Sequence, residues 1–469
     1  MVSEHISSLV WLRRDLRLHD NISLSSSLNI PGRVQVIFIF DTDILSRFTN
    51  LYDQRISFLA DTLLSIAKTL AERGGELLIF QGNPKDIIPR LAEHLQVKHV
   101  FSGKDYEPYG KKRDLEIHSS LQKSGINFCL QNDHLIITPE EIIKPDGGPY
   151  KVFTPFCRAW LGKLSSTHIQ YHRVEDEGRY AKASLSDNLQ KLDLSKGADF
   201  LLKQIGYEYS PNPYFNIDSY KSHLVDFSEN KIIDYETNRN FVYLNGTSKL
   251  SPYIRFGLIS IRDCYREAAD KIDSLTWINE LVWRDFYASI LHYFPDTINQ
   301  EFLAQYRSLK WHSNEEFLTK WQQGLTGYPI VDAAMRQLNE EGWMHNRARM
   351  IVASFLTKHL LIDWRSGEEY FAQKLMDYDL ASNVGGWQWA ASVGTDAQPY
   401  YRIFNPLLQS EKFDPAGIYI KKYLPELRDI PLKFIHEPQK YIGKTNYPAR
   451  IVVHEQARKR ALEFFKNKE

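Results

Sequence analysis

Cysteine is nearly absent: three residues, Cys129, Cys157 and Cys264, in a chain of 469. They are far apart, odd in number and form no CxxC pair. That excludes a disulfide scaffold or a zinc ribbon and points to a reducing, cytoplasmic setting. An excess of either charge is also missing, with 58 Lys+Arg against 58 Asp+Glu. A generic polyanion binder is therefore not indicated, but a locally basic face remains compatible with a neutral total, because surface potential follows charge distribution. No apolar run approaches the ~18–20 residues of a membrane-spanning helix, so no membrane association is expected. The opening MVSEHISSLVWLRRDLR lacks the basic, apolar and small-residue regions of a secretory signal. GxSxG, a Walker lysine loop and HExxH are all absent, which removes the signatures of a nucleophilic hydrolase, a P-loop kinase and a zinc protease. No metal site is expected.

What the chain has in quantity is tryptophan. Of ten, eight fall between Trp277 and Trp389, under a quarter of the length. The rest of the organisation follows from periodicity. Over residues 1–130, short β-branched and aromatic runs (SLVWLRR, RVQVIFIF, ELLIFQG, VKHVFSG, INFCLQN) alternate with amphipathic stretches. One of these places Ile56, Leu59, Leu63, Ile66 and Leu70 at three- and four-residue spacing and stops at Gly74-Gly75. Another begins at Pro84, with Pro89 expected to shorten or bend it. This βαβα order predicts an α/β domain with a Rossmann-like parallel sheet covered by helices. The first strand is followed by WLRRDLRLHDN with no glycine, so a standard dinucleotide fingerprint is absent. Periodicity weakens over 131–215, read as a long interdomain linker. From 216 to 469 the patterns are helical, including 328–342 and 346–361, and predict an all-α domain.

Four segments carry chemistry. GTSKLSPYIRFG (246–257) sets the hydroxyls of Thr247, Ser248 and Ser251 just before a helix start. Free backbone N–H groups there suit a phosphate, while a plain helix cap is the simpler reading. In TWINELVWRDFYASIL (276–291), Glu280, Trp283, Arg284 and Tyr287 share one helical face. Such a face can hydrogen-bond a base edge, stack on a ring and clamp a phosphate, or merely carry an i,i+4 pair from Glu280 to Arg284. GWMHNRARM adds Asn346, Arg347 and Arg349, as a solvated basic turn would. The stretch 376–406 has two acids, Asp377 and Asp379, and Gly385-Gly386 beside Trp387 and Trp389, a place where a planar ligand meets backbone. Paired acids also occur in glycosidases and metal sites, but the two-residue spacing does not fit a metal loop.

At these residues the sequence resembles the photolyase/cryptochrome family. WLRRDLRLHDN, KVFTPF, GTSKLS, WINELVWRDFY, GYPIVDAAMRQL, GWMHNRARM and NVGGWQWAASVGTDAQPYYRIFNP carry the likeness, which is nearest to bacterial class I cyclobutane pyrimidine dimer photolyases. It implies an N-terminal antenna domain, a C-terminal helical domain holding FAD, and light-driven splitting of dimers in UV-damaged DNA by electron transfer from reduced FAD. Carried over residue by residue, Tyr235, Thr247, Ser248, Lys249, Leu250, Ser251 and Arg284 match FAD contacts. Asp377, Tyr378 and Asp379 match a segment against flavin and ribose, and Asn383 faces the reactive flavin nitrogen. Glu280 and Trp283 match the dimer-reading pair, with Tyr287 on the same face. Trp389, Asn346 and Met350 line the same pocket, and Arg347, Arg402 and Gln409 meet the DNA backbone. Trp387, Trp364 and Trp311 match the chain that passes electrons to oxidised flavin, whereas Trp277, Trp321 and Trp343 are read as core.

The resemblance also separates the candidates within the family. A cryptochrome, a light-signalling protein without repair activity, is the alternative, but Asn383 is the photolyase residue type and no long tail follows Lys468. A six-four photolyase carries a histidine pair where Asn346 and Met350 stand, and the single-strand-preferring group lacks the second indole of WQW, present here as Trp389. A second antenna chromophore is implied, with methenyltetrahydrofolate, a deazaflavin and FMN as the choices. Folate binders use Asn and Glu where this chain has Tyr109 and Gly110, and Glu107 is a possible contact. A monomer is expected.

Overall fold

Five short runs of β-branched and aromatic residues pair side by side: β1 (Ile6–Leu12), β2 (Arg33–Asp41), β3 (Leu77–Gly82), β4 (His99–Gly103) and β5 (Asn127–Gln131). The computed structural model describes residues 5–175, 178–186, 188–441 and 445–466. All four pairings are parallel, in the order β3-β2-β1-β4-β5. At the centre Val10 lies between Val36 and Phe101, and all three are buried, as expected of a sheet covered on both faces. The connecting helices include α1 (Gln54–Glu72), α2 (Pro84–His94) and α3 (Pro108–Lys123). Asp53 caps α1, and the chain leaves it through Gly74 at φ +79°. Helix α2 neither ends nor shortens at Pro89 but runs on to His94, with Asn83 capping its first turn.

The chain divides into two units, Met1–Ile142, Trp160–Asp226 and Lys249–Asp270 forming the first, and Ile143–Ala159, Phe227–Ser248 and Lys271–Glu469 the second. The stretch 131–215 is thus shared between them, with 143–159 in the second unit. In the first unit a buried charge cluster ties distant segments together. Asp133 accepts from Arg17 and, at 2.8 Å, from Arg262, while Asp20 pairs with Arg262 and Arg266 at 3.4 and 2.8 Å. Burial opposes ionisation of Asp133, but the two guanidiniums outweigh it and hold its carboxyl far below the ordinary range.

The second unit is helical. Its main elements are α4 (Leu275–Tyr293), α5 (Pro329–Glu341), α6 (Asn346–Ser354), α7 (Trp364–Lys374), α8 (Leu380–Ala391) and α9 (His454–Lys466). Trp321, Met335, Leu356, Trp364, Phe371 and Trp387 belong to one continuous core. The periodicity over 346–361 predicts a single helix, but α6 stops at Ser354 and Phe355–His359 forms a π-helical turn. The Trp321 indole N–H donates to the Val352 carbonyl at 3.1 Å. A side chain bonding into the helical ladder is a recognised cause of such an irregularity. Among the described residues no helix is long and apolar enough to cross a membrane, and no group of His, Cys, Asp and Glu could hold a metal ion.

Candidate functional site

Helix α4 presents Glu280, Trp283, Arg284 and Tyr287 along one side, all half-buried. Trp283 lies flat on Phe153, with ring centroids 3.7 Å apart and planes 3° from parallel. The Phe153 N–H donates to Asp396 at 3.0 Å, which fixes the backing ring. Glu280 pairs at 2.5 Å with Arg239, a partner 41 residues upstream that helical spacing does not suggest. Burial raises the Glu280 carboxyl above its ordinary value, against the pull of Arg239. Tyr235 joins this cluster: it is buried, Arg239 sits 5.4 Å from its ring, and burial together with Glu280 pushes its phenol up.

Tyr287 explains one glycine of the pair in α8. A Cβ on Gly385 would lie 2.1 Å from the Tyr287 ring, so Gly385 is required for α4 and α8 to touch. That corrects the reading of Gly385 as a residue opposite a ligand. Gly386 does face open space: a methyl group placed there would meet nothing within 4 Å.

The loop from Gly246 begins against Asn238, where a Cβ would come within 2.8 Å, and continues through half-buried Thr247 and Ser248. Lys249 takes a left-handed conformation, φ +52°, unusual for a long side chain. The short helix Ser251–Phe256 that follows has Leu250, not a hydroxyl residue, at its cap position.

The basic turn of α6 is engaged rather than solvated. Arg347 donates to Asn240 at 2.6 Å, approaches the Met350 sulfur at 3.6 Å and lies over Phe413. Arg349 grips Asp377 at 2.7 Å. Asp379 instead caps α8, accepting from the Ser382 N–H and hydroxyl at 3.1 and 3.0 Å. The two acids therefore have separate structural duties, and neither a glycosidase pair nor a metal site is built from them. Asn383, on the first turn of α8, donates its amide to the Glu368 carbonyl and carboxyl at 3.1 and 3.0 Å, and Tyr378 donates to the same carboxyl at 3.2 Å. Glu368, raised by burial, carries no mark of this role in the sequence. Nor do Arg239 and Phe153, because each acts through a partner far along the chain.

Trp387 is buried and rests on Gly367, where a Cβ would lie 2.1 Å from its six-membered ring. Gly367 is one turn from Trp364 on α7. Trp311 is half-buried against Phe464 and Phe465, at 5.3 and 6.0 Å. Trp277, Trp321 and Trp343 are core residues, as expected. Trp389 is half-buried, Asn346 and Arg402 are exposed and Gln409 is half-buried, outside the hydrogen-bonded clusters above.

A flat, polar cofactor fits this donor set. Asn383 has its amide nitrogen committed to Glu368, which leaves the amide oxygen for a ligand. Gly386, one turn on, leaves space beside it, and the buried Trp387 indole nitrogen has no hydrogen-bond partner among the described residues.

Comparison with known proteins bears on these features directly. A family described as the FAD binding domain of DNA photolyase matches residues 277–467, and one described as DNA photolyase matches residues 8–175. A deoxyribodipyrimidine photo-lyase of Alkalihalophilus pseudofirmus is 39% identical over 97% of this chain and 97% of its own. An archaeal photolyase from Sulfolobus tokodaii, solved with two FAD molecules and described as implying a novel light-harvesting cofactor, superposes with a TM-score of 0.84 at 32% identity, covering 98% of this chain and 100% of its own. A cryptochrome from Synechocystis superposes with a TM-score of 0.85 at 26% identity, again covering 98% and 100%.

Proposed function

The chain belongs to the DNA photolyase family, and on that premise we propose that α4, α6 and α8 carry the surface on which a pyrimidine dimer is read and repaired. The protein is a light-dependent DNA repair enzyme, a carbon–carbon lyase acting on cyclobutane pyrimidine dimers. Its cofactor is FAD, which in reduced form supplies on excitation the electron that opens the cyclobutane ring and takes it back afterwards.

The observation that carries the side-chain reading is the flat stack of Trp283 on Phe153 beside the Glu280–Arg239 pair. An indole held rigid from behind offers its other face to an extruded base at little cost in side-chain entropy. Glu280, held by Arg239 beside the stacked rings, offers a carboxyl group to the polar edge of a pyrimidine. A dimer already disturbs stacking, so flipping it out costs less than flipping a sound pair. Asn346, Met350 and Trp389 would line the same pocket, with Tyr287 behind it. Arg402 and Gln409 would meet the DNA backbone, as would Arg347 after exchanging its Asn240 bond.

For the cofactor, we assign the phosphates to Thr247 and Ser248, with Tyr235 and Arg284 beside them. Asp377, Tyr378 and Asp379 would lie against the flavin and ribose. Glu368 orients Asn383 so that its amide oxygen meets the flavin. Trp387, Trp364 and Trp311 would relay electrons inward when the cofactor is oxidised. A second, light-harvesting chromophore of the flavin class is favoured over folate. Tyr109 donates to Asp41 at 2.8 Å, and a side chain at Gly110 would collide with Asp105 at 2.4 Å, so the folate pattern cannot simply be restored there. We also propose a monomer acting in the cytoplasm, where the three free cysteines stay reduced.

The cryptochrome likeness supports signalling as a second reading, and one experiment separates the two. Chemically reduced protein, illuminated with an oligonucleotide bearing a thymine dimer, should restore the intact bases. Trp283→Ala should weaken binding to that oligonucleotide roughly 5- to 150-fold, the range expected for loss of a ~1–3 kcal/mol stack. No repair by the parent protein would leave signalling, and unchanged affinity of the variant would remove Trp283 from the lesion.

A further inference from the structure

The segment between α4 and Trp311 has no helical period and no recognisable motif, yet it places one buried carboxylate where three important side chains meet. Glu301 is 4% exposed. Its Oε1 accepts from the indole N–H of Trp311 at 3.4 Å and from that of Trp364 at 3.3 Å. Arg365 closes the group as a fork, with Nη1 3.1 Å from Oε1 and Nη2 3.0 Å from Oε2. The same guanidinium is fixed by the Asn299 carbonyl at 2.7 Å and by Asp363 at 3.0 Å, and lies 4.6 Å from the Trp364 ring centre.

The Arg365 fork already compensates the buried carboxylate, so the two indole N–H contacts on Oε1 are additional to the pairing that burial requires. Trp387 has no counterpart: its indole nitrogen has no partner among the described residues. We propose that Glu301 is the counter-ion of the tryptophan chain, holding the positive hole on Trp364 and Trp311 once it has left Trp387. The proposal rests on the reading that these three indoles relay electrons to oxidised FAD.

The electron balance is simple. One electron enters the oxidised cofactor from Trp387, Trp364 refills Trp387, Trp311 refills Trp364, and a thiol in solution refills Trp311. At each stage one indole carries a single positive charge. A fixed negative charge at the nitrogen edge stabilises that charge, and the low dielectric of the core strengthens the attraction. The contacts are long for hydrogen bonds, so the effect is mainly electrostatic and does not require a proton to move. Burial alone would raise the Glu301 carboxyl, but bonds from Arg365 and Trp364 outweigh it and keep it below its ordinary value, so it stays ionised. The Arg365 charge over the Trp364 face opposes a hole there. Trp311 shares the carboxylate with no guanidinium stacked over its ring among the described residues, which gives the outer step a direction, from the buried indole toward the half-buried one.

The test compares Glu301→Gln, Glu301→Asp and Trp311→Phe as FAD-loaded proteins. Glu301→Gln keeps shape and an acceptor but removes charge, and should slow photoreduction of the oxidised cofactor in the presence of thiol about tenfold, equivalent to ~1.4 kcal/mol. Glu301→Asp should recover most of that rate, and repair by the chemically reduced Gln variant should be unchanged. A wild-type photoreduction rate in Glu301→Gln, with Trp311→Phe slowed, overturns the counter-ion role alone. If Trp311→Phe is also unslowed, the tryptophan relay itself falls. A readout on the unaltered protein needs no variant to fold: the indole ¹⁵N–¹H resonances of Trp311 and Trp364 should both be displaced from those of solvent-exposed indoles. Finding both at the exposed position would show that the shared carboxylate contact does not exist.

Discussion

Gly367→Ala is the sharpest test of how the second unit holds Trp387. The added methyl would lie 2.1 Å from Cη2 and 2.4 Å from Cζ3 of that indole, and 2.7 Å from a Leu356 methyl. Carbon atoms rest ~3.5–4 Å apart, so the indole or α7 must move by ~1.5 Å. Neither has room. Trp387 is 2% exposed and is met edge-on by Trp321 and Phe371, at 6.0 and 5.0 Å. Overpacking of this kind costs ~1–3 kcal/mol, and replacing a helical glycine by alanine returns ~0.5–1 kcal/mol. The difference spans ~0–2.5 kcal/mol, and because neither group has room the upper part, ~1–2.5 kcal/mol, is expected, lowering the midpoint for a unit of this size by ~2–4 °C per kcal/mol. Thermal unfolding of the FAD-loaded protein, followed by near-UV circular dichroism, measures it. Gly162→Ala serves as the control, since a methyl there meets nothing within 4 Å and should leave stability unchanged or slightly improved. Photoreduction should also slow, because the displaced indole is the innermost of the relay proposed above. A Gly367→Ala protein as stable as its parent, with unchanged photoreduction, would refute the packing argument.

Two further outcomes follow from buried charge. Asp133→Asn leaves Arg17 and Arg262 buried with half their compensation gone, and should cost ~3–5 kcal/mol in urea unfolding; a loss below ~1 kcal/mol would mean the cluster is solvated when the first unit is free to relax. His359 is buried in the π-turn, and burial, helped by its neighbour His454, pushes its imidazole down from 6.5 to about 3. The folded state then binds fewer protons than the unfolded chain between those values, so stability is complete above pH ~6.5 and falls as the pH drops. From pH ~7.5 to ~5.5 the loss from this group is about 1.4 kcal/mol, and it should vanish in His359→Gln; equal pH slopes for the two proteins would exclude His359 as the source.

The elements themselves are largely legible in the sequence. β-Branched runs and the leucine spacing before Gly74-Gly75 encode the first unit, and the apolar periods of α4 and α5 encode part of the second, because these signals are local, whereas α8 lies in a stretch with little apolar period. The misses are all tertiary. Helical spacing offers Glu280 only Arg284 and cannot report Arg239, which reaches it from a preceding segment. Gly385 reads as a ligand approach because a missing side chain does not say what fills the gap; the answer is Tyr287. The π-turn after Ser354 begins beside the Val352 carbonyl that Trp321 reaches, a contact no pattern within 346–361 can report. Glu301 lies in a stretch without period, where one acid among many carries no mark of what it will touch.

The order of segments along the chain has a consequence for modularity. The unit bearing most residues proposed for the flavin and the lesion is not one stretch: Ile143–Ala159 and Phe227–Ser248 belong to it, while Lys249–Asp270 between its parts belongs to the other unit. Phe153, the ring behind Trp283, comes from the earliest of these pieces. A gene fragment starting at the helical half would therefore encode Trp283 without the Phe153 ring that backs it. Recombination could exchange the two halves of such a protein only as an interleaved whole, which ties the inheritance of the light-gathering half to that of the repairing half.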